Sequence, residues 1–557
     1  MALPRADSHP AASQFLMDIR MGIWNFYFIA KLFLYFGHYI GFHVLLNFLF
    51  AVSLALPIPY RRVQLLRQML AVPLGIALFY YDTWLPPISR VIAQSAQLEG
   101  FNLAYLMELI GRFISLPVVA GLASLFVVYF FARKKLRVSS FVFLAMLIPL
   151  LPVSVKPPAT YNAGIENKTA LTVPNKRLPS TASTDDSSSD NLSSTPTDAE
   201  LTTTLNSFYR NEAARSVSFS APASTDAPFD IVFLQICSLS WDDLKFTQEQ
   251  DNSLFKRFNI VFTNFNSSAS YSGPAAIRLL RGSCGQQKHS RLYDPVAPQC
   301  QTFNDLLPIG FELQLAMNHD GKYGGFLADV RERGGLKAAL FDTKGVPAYL
   351  QSFDGSPVHD DYAVLSKWWE KRLQMPTERV ALYYNSISLH DGNRYPGNGS
   401  SNSMETYHQR ESRLLSDIDR FFTELQASGR RVVVVFIPEH GASIRGDRMQ
   451  IAGLREIPSP RISTVPVGIK LIGMAGNPAA PPLIVAKPTS YLAISQLLSD
   501  FIRSTPFGKN SLNLEDYVSN LQSTKFVAEN EDVVVMRSNR QYFIHSKDAE
   551  WVEYDPE

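Results

Sequence analysis

The chain opens with long apolar runs and continues with short ones. Residues 21–57, 68–86, 112–132 and 138–156 are almost unbroken apolar and aromatic sequence, and Lys31, His38 and His43 are the ionisable interruptions of the first run. At ~20 residues per span, that first run holds either one long tilted helix or two tight spans, with Gly37 and Gly41 placed to turn a hairpin. The pattern therefore predicts an N-terminal α-helical transmembrane bundle of four or five spans over residues 1–156. Several apolar segments follow the first, which excludes a cleaved signal peptide. Orientation follows from the basic residues. Arg61, Arg62 and Arg67 cluster after the first run, and Arg133, Lys134, Lys135 and Arg137 between the last two. Both clusters are expected in the cytoplasm. The segment 87–111 carries Arg90 as its one basic residue and is expected outside. A cytoplasmic N-terminus bearing Arg5 and Arg20 requires five spans; four is the alternative. In either case everything after about residue 157 lies outside.

The pattern then changes twice. Between Ser180 and Thr204, 14 of 25 residues are Ser or Thr. Such a stretch buries too little apolar area to offset its ordering entropy, so residues 157–228 read as a flexible tether, with a short helix near Leu201–Ala214. From residue 229 to 557, short apolar strands alternate with helical stretches. The predicted strands are Phe229–Ile236, Asn259–Phe265, Phe311–Met317, Lys337–Phe341, Arg379–Ile387, Arg431–Ile437 and Val465–Ile472. Helices are predicted at 360–373 and 404–427, among others. This alternation predicts an α/β domain with a mainly parallel sheet covered on both faces. Val533–Met536 and Gln541–His545 predict a small antiparallel addition at the end.

Composition narrows the function. The 557 residues hold 52 Lys+Arg against 50 Asp+Glu, a net charge of +2, which lacks the basic excess of a nucleic-acid binder. The three cysteines, Cys237, Cys284 and Cys300, show no CxxC spacing, so zinc fingers and thioredoxin-like motifs are excluded.

In open α/β sheets ligands collect at the carboxyl ends of the strands. Those ends carry Cys237, Tyr271–Ser272–Gly273–Pro274, Asn318–His319–Asp320, His390–Asp391 and Glu439–His440–Gly441. Thiol, hydroxyl, carboxylate and imidazole thus gather on one rim. Glu439 and His440 directly follow the apolar run Val432–Ile437, and a buried carboxylate needs a partner or a metal. Ser272 precedes a helical run, where it faces backbone N–H groups; it either caps that helix or acts as a nucleophile, and one geometry allows both. His390 reads equally as a proton donor or as a loop histidine bonded to Asp391. Arg455 is either a phosphate ligand or a solvated arginine, and His319 follows a weaker strand. A Cys, Ser, Glu, His donor set suits tetrahedral zinc better than magnesium or calcium.

The strand ending at Cys237, the Tyr271–Ser272–Gly273–Pro274 turn and the Pro438–Glu439–His440–Gly441 turn resemble the alkaline phosphatase/sulfatase superfamily. Ile236–Trp241, Ser270–Arg281 and Leu389–Gly392, together with the membrane region, resemble the cellulose phosphoethanolamine transferases of bacterial cellulose-secretion systems (the BcsG family). The resemblance covers nearly the whole chain apart from the tether. It implies a zinc enzyme of the Gram-negative inner membrane with a periplasmic catalytic domain, moving phosphoethanolamine from phosphatidylethanolamine to glucose 6-hydroxyls of nascent cellulose. Other subunits of the cellulose synthase complex are implied partners. By motif, Ser272 is the nucleophile and a metal-facing oxygen, Cys237, Glu439 and His440 are the remaining zinc ligands, and Tyr271, His390 and Arg455 line the phosphate pocket. Relatives that modify lipid A carry a carboxylate, Thr and Asp where Cys237, Ser272 and Glu439 stand, which argues against lipid A as acceptor. Sulfatases require Arg where Ala276 stands, which argues against a formylglycine enzyme. A lipid phosphodiesterase of the same superfamily and a non-enzymatic scaffold of the secretion complex are the competing readings. Cys284 and Cys300 flank a 15-residue loop in an oxidising compartment and are expected to form a disulfide, leaving Cys237 as a free or metal-bound thiol.

Overall fold

The computed structural model describes residues 21–83 apart from 38, a few positions in 105–111 (Tyr105, Met107, Glu108 and Gly111), residues 116–150, and 196–556 apart from 223–225, 398–401, 475–479, 509–512 and 548. The chain divides into two compact units. One is built from residues 1–85 and 116–196; the other from 86–115 and 197–557.

The first unit contains α1 (Trp24–Phe36), α2 (Val44–Ala55), α3 (Arg61–Asp82), α4 (Leu116–Ala132) and α5 (Val138–Ala145). The first apolar run is two helices, and Gly37 stands at the C-cap of α1, so the break falls in the predicted hairpin. Among the described residues one helix, Arg62–Asp82, is long and apolar enough to cross a membrane, while Val44–Ala55 and Pro117–Ala132 are shorter apolar helices. The basic residues Arg61, Arg62 and Arg67 lie in the first two turns of α3. α1, α2 and α3 are pinned by a buried polar cluster. Lys31 Nζ pairs with the Asp82 carboxylate and donates to Asn47 Oδ1 at 2.7 Å, and Asn47 Nδ2 donates to Asp82 Oδ2 at 2.7 Å. Three polar side chains in an apolar bundle satisfy one another, as burial requires.

After residue 196 the second unit resumes at Thr197. Thr197 and Glu200 form a capping box that starts α6 (Asp198–Ala213), the short helix expected near Leu201–Ala214. Leu201, Phe208 and Tyr209 on one face of α6 pack with Val527, Met536, Phe543 and Trp551. Burial of that apolar face outweighs the poor helix propensity of its threonines. Residues 151–195, which hold most of the expected tether, lie outside the described residues.

The main sheet comprises β1 (Asp230–Ile236), β2 (Ile260–Asn266), β3 (Phe311–Met317), β6 (Arg379–Ser386), β7 (Val432–Pro438), β8 (Thr464–Ile472) and β9 (Leu483–Val485); β4 (Ala348–Gln351) and β5 (Pro357–His359) form a separate hairpin. The order is β3-β6-β1-β7-β8-β2-β9. Pairing is parallel except that β8 runs antiparallel to both β7 and β2. The predicted strand Lys337–Phe341 touches the β3 edge at one point, where Phe341 N–H donates to Leu315 O at 2.8 Å, and then leaves through the Asp342 turn. Further helices include α7 (Trp241–Thr247), α8 (Ser272–Leu280), α9 (Asp361–Leu373), α10 (Tyr407–Ala427) and α11 (Tyr491–Arg503). Alternate residues of β1 feed opposite faces. Ile231 and Phe233 join a core with Leu279 of α8 and Leu497 and Phe501 of α11, while Val232, Leu234 and Ile236 join Trp368 of α9 and Leu414 and Phe421 of α10. The C-terminal addition is a four-stranded antiparallel sheet of β10 (Val527–Glu529), β11 (Val533–Ser538), β12 (Gln541–Ser546) and β13 (Val552–Tyr554).

Candidate active site

The register of three central strands builds the site. Ile236 lies level with Ser386 on one side and Pro438 on the other. Cys237 and Glu439, the next residues of β1 and β7, therefore emerge together. Glu439 N–H donates to Ile236 O at 2.8 Å and Cys237 N–H to Ser386 O at 2.9 Å, which extends the ladder one residue past the strands. Cys237, Glu439 and His440 are fully buried, and their ligand atoms all lie within 4.8 Å of one another.

Ser272 reaches the same point from α8. Its Oγ is 3.4 Å from Cys237 Sγ and 3.4 Å from His440 Nε2. It is the first residue of the helix, while Tyr271 occupies the N-cap without a side-chain capping bond. The hydroxyl thus faces the thiol and imidazole, and the capping role open to it in the sequence is not the one it takes.

Hydrogen bonds fix the neighbouring groups. His440 Nδ1–H donates to Gly441 O at 2.9 Å, so Nε2 carries the lone pair that faces Ser272 and Cys237. Asn385 Nδ2 donates to Glu439 Oε1 at 2.7 Å, while Glu439 Oε2 has no close hydrogen-bond donor among the described residues and lies 3.8 Å from His440 Nε2. Burial raises the Glu439 carboxyl above its usual range. Burial, reinforced by Glu439, pushes the Cys237 thiol up to about 12. A buried thiol, carboxylate and imidazole with one carboxylate oxygen aimed at the others could cradle a cation, which would favour the ionised forms of the first two.

The other residues singled out in the sequence also gather here. Arg455 donates to Ser238 Oγ at 3.1 Å, and its guanidinium lies 5.6 Å from the Tyr271 ring centroid. Tyr271 Oη donates to Glu456 Oε1 at 2.6 Å. His390 stands in the turn after β6, where its Nδ1–H donates to the backbone oxygen of Asp391 at 2.6 Å, not to that residue's carboxylate. Burial and the charge of Arg455 lower His390 to about 4. His319 is held neutral, with Nε2–H donating to Asn385 Oδ1 at 2.9 Å and Nδ1 accepting from Gly321 N–H at 3.1 Å. A cavity of about 70 Å³ beside Ser272 is lined by His319, Tyr323, Phe353, Asp354, Asn385 and His390. Asn385 went unremarked in the sequence, although an amide at the end of the apolar run Val380–Tyr384 is the kind of polar interruption that marked Glu439.

Fold and site together set a hydroxyl at a helix start against a thiol, a carboxylate and an imidazole at the carboxyl rim of a mainly parallel sheet. The solved structures the chain resembles are distant in sequence. A protein of the alkaline phosphatase superfamily from Vibrio parahaemolyticus is 13% identical, with a TM-score of 0.45 over 64% of this chain and 88% of its own. The C-terminal periplasmic domain of EptC from Escherichia coli is 14% identical, with a TM-score of 0.41 over 61% of this chain and 96% of its own.

The chain belongs to the BcsG family: residues 24–151 match the cellulose biosynthesis protein BcsG N-terminal domain and residues 185–551 its C-terminal domain. It is 41% identical over 538 residues to the cellulose biosynthesis protein BcsG of Salmonella typhimurium, covering 95% of this chain and 96% of that protein. It is 40% identical, over the same shares, to the protein of that name from Escherichia coli K12. The Cys284–Cys300 disulfide is present, with Cα atoms 4.9 Å apart, and Cys237 is the free cysteine.

Proposed function

We propose that this chain is a zinc-dependent phosphoethanolamine transferase that takes the group from phosphatidylethanolamine and places it on glucose 6-hydroxyls of nascent cellulose. The observation that carries the reading is the position of Ser272 Oγ, 3.4 Å from both Cys237 Sγ and His440 Nε2. The curated relatives are named for cellulose biosynthesis, which favours a cellulose acceptor. The apolar helices of residues 21–150 favour an inner-membrane protein whose catalytic domain is periplasmic, and the disulfide fits that compartment.

Cys237, Glu439, His440 and Ser272 would hold the zinc. The mixed sulfur, nitrogen and oxygen donors fit that ion, and among the described residues Glu439 Oε2 has no close hydrogen-bond donor. When bound, zinc supplies positive charge that favours the ionised serine and offsets charge on the phosphoryl oxygens. The chain's own residues do the rest. Ser272 Oγ attacks phosphorus, the bond to the diacylglycerol oxygen breaks, and phosphoethanolamine remains on Ser272. The half-buried Arg455 faces this centre and binds a non-bridging oxygen, with the Tyr271 ring holding the guanidinium. The proton that Ser272 loses on ionising passes to His390 Nε2, the ring nitrogen left basic because Nδ1–H donates to the Asp391 backbone oxygen. His390 gives that proton to the departing oxygen and takes one from the sugar hydroxyl that attacks next; the Oγ–P bond then breaks and frees Ser272. Two steps through one covalent intermediate imply ping-pong kinetics.

Mass spectrometry of cellulose from cells carrying the wild-type chain or Ser272→Ala tests the reading. Phosphoethanolamine should be present with the first and absent with the second, while the melting curve is unchanged because Ser272 makes no capping bond. Modified cellulose at wild-type levels in the mutant would remove Ser272 from its role. Water-driven release of phosphoethanolamine without sugar modification would make the chain a phosphodiesterase.

A further inference from the structure

The segment 86–115 lies in the sequence between apolar helices α3 and α4, yet it belongs to the catalytic unit. Two of its side chains reach the turn that carries His390. Tyr105 is buried, and its Oη donates to Asp391 Oδ2 at 3.0 Å. Glu108, one helical turn on, accepts from Arg394 Nη2 at 2.6 Å and from the Ser403 backbone N–H at 3.2 Å. Ser403 Oγ lies 2.8 Å from Glu108 Oε1 and 2.7 Å from Asp391 Oδ1, and its single proton serves one carboxylate at a time. Asp391 Oδ1 also accepts from Gly392 N–H at 2.9 Å.

The turn is shaped around the Tyr105 ring. Gly392 has φ +82, and a Cβ there would sit 2.8 Å from that ring and 2.6 Å from Phe353 Cβ. Tyr105 and Phe353 ring centroids are 6.0 Å apart, and Phe353 lies 4.8 Å from the His390 ring. His390 is therefore located from two sides. The backbone oxygen of Asp391 fixes its tautomer and tilt, and Phe353 supports its face.

We propose that Tyr105 and Glu108 are positioning residues for His390, so that the catalytic unit is complete only with the segment that precedes α4. This rests on the acid–base role of His390 in the transfer proposed above. With Tyr105 Oη gone, Asp391 loses a buried donor and its carbonyl is free to shift, and a shift of a fraction of an ångström misaligns proton transfer.

The test separates positioning from folding through the leaving group, in the full-length protein. Phosphatidylethanolamine expels an alkoxide that needs a proton. In p-nitrophenyl phosphoethanolamine, Ser272 Oγ forms the same bond to phosphorus, but nitrophenolate leaves with its electron pair and needs no proton. Tyr105→Phe and Glu108→Gln should slow transfer from the lipid about 10-fold. The burst of nitrophenolate should change by less than about 2-fold. His390→Ala should slow transfer from the lipid more than either variant does. Equal losses on both donors, no loss on the lipid, or a collapsed melt for Tyr105→Phe would each overturn the assignment. Activity of the wild type toward neither donor would overturn the phosphoethanolamine reading itself, and this inference with it.

Discussion

Asn385 holds the Glu439 carboxylate by a 2.7 Å hydrogen bond to Oε1, and its own carbonyl accepts from His319. One amide thus orients a candidate metal ligand and one wall of the cavity. It does so from β6, two strands away from β7 across β1. Partners that orient a ligand tune metal affinity as strongly as many direct contacts do. Asn385→Leu should weaken zinc binding about 10- to 100-fold, measured by competition with a chromophoric chelator. Unchanged affinity would mean that Glu439 is oriented by the metal alone.

Glu411 lies buried in α10, and among the described residues its carboxyl oxygens have no hydrogen-bond partner of close, good geometry. Burial pushes its carboxyl from 4.5 up to about 8, partly offset by Thr247 and Arg410. The folded chain therefore binds a proton here that the unfolded chain has released between those two values. Stability falls as pH rises through that window, by up to about 1.4 kcal/mol per pH unit from this group. Asp243 and Asp361, each raised by burial to about 6, act in the same sense over a narrower range. Glu411→Gln should melt above the wild type at pH 8, with the gap closing towards pH 5. Parallel melting-versus-pH curves for the two proteins would contradict this.

The Lys31–Asp82 pair is fully buried, and Asn47 serves both members. Removing one partner strands a charge in an apolar bundle, which costs about 3–5 kcal/mol, whereas replacing both with apolar groups of similar size costs far less. In detergent, Asp82→Ala should lower the melting temperature sharply, and Lys31→Met combined with Asp82→Leu should recover most of it. If the double variant is the worse of the two, the pair is needed for more than packing.

Cys284 and Cys300 close a loop beside the start of the catalytic unit, where Gly285 N–H donates to Arg215 O at 2.9 Å just after α6. Loss of this closure should cost about 3 kcal/mol in the chain-entropy account. Thiol titration in denaturant without reductant should find one thiol per chain, Cys237. Three would show that the bridge does not form in the isolated protein.

What the sequence determined by itself was whatever depends on local pattern. The apolar runs located the helices of the first unit, period and strand length located β1, β2, β3, β6, β7 and β8, and polar residues stranded at strand ends picked out Cys237, Ser272, Glu439 and His440. Tertiary structure alone decided what depends on neighbours. A fully buried strand reads the same in either direction, so the antiparallel course of β8 was not legible. The helix α6 was legible but its partner was not, because the face formed by Leu201, Phe208 and Tyr209 is stabilised by strands more than 300 residues later in the chain. Asn385 looked like one more polar residue until the sheet placed it beside Glu439. Tyr105 and Asp391 are 286 positions apart and carry no shared local signal. Their hydrogen bond exists because the catalytic unit takes in a segment from between two apolar helices, and no periodicity in the sequence records which distant surface will bury a side chain.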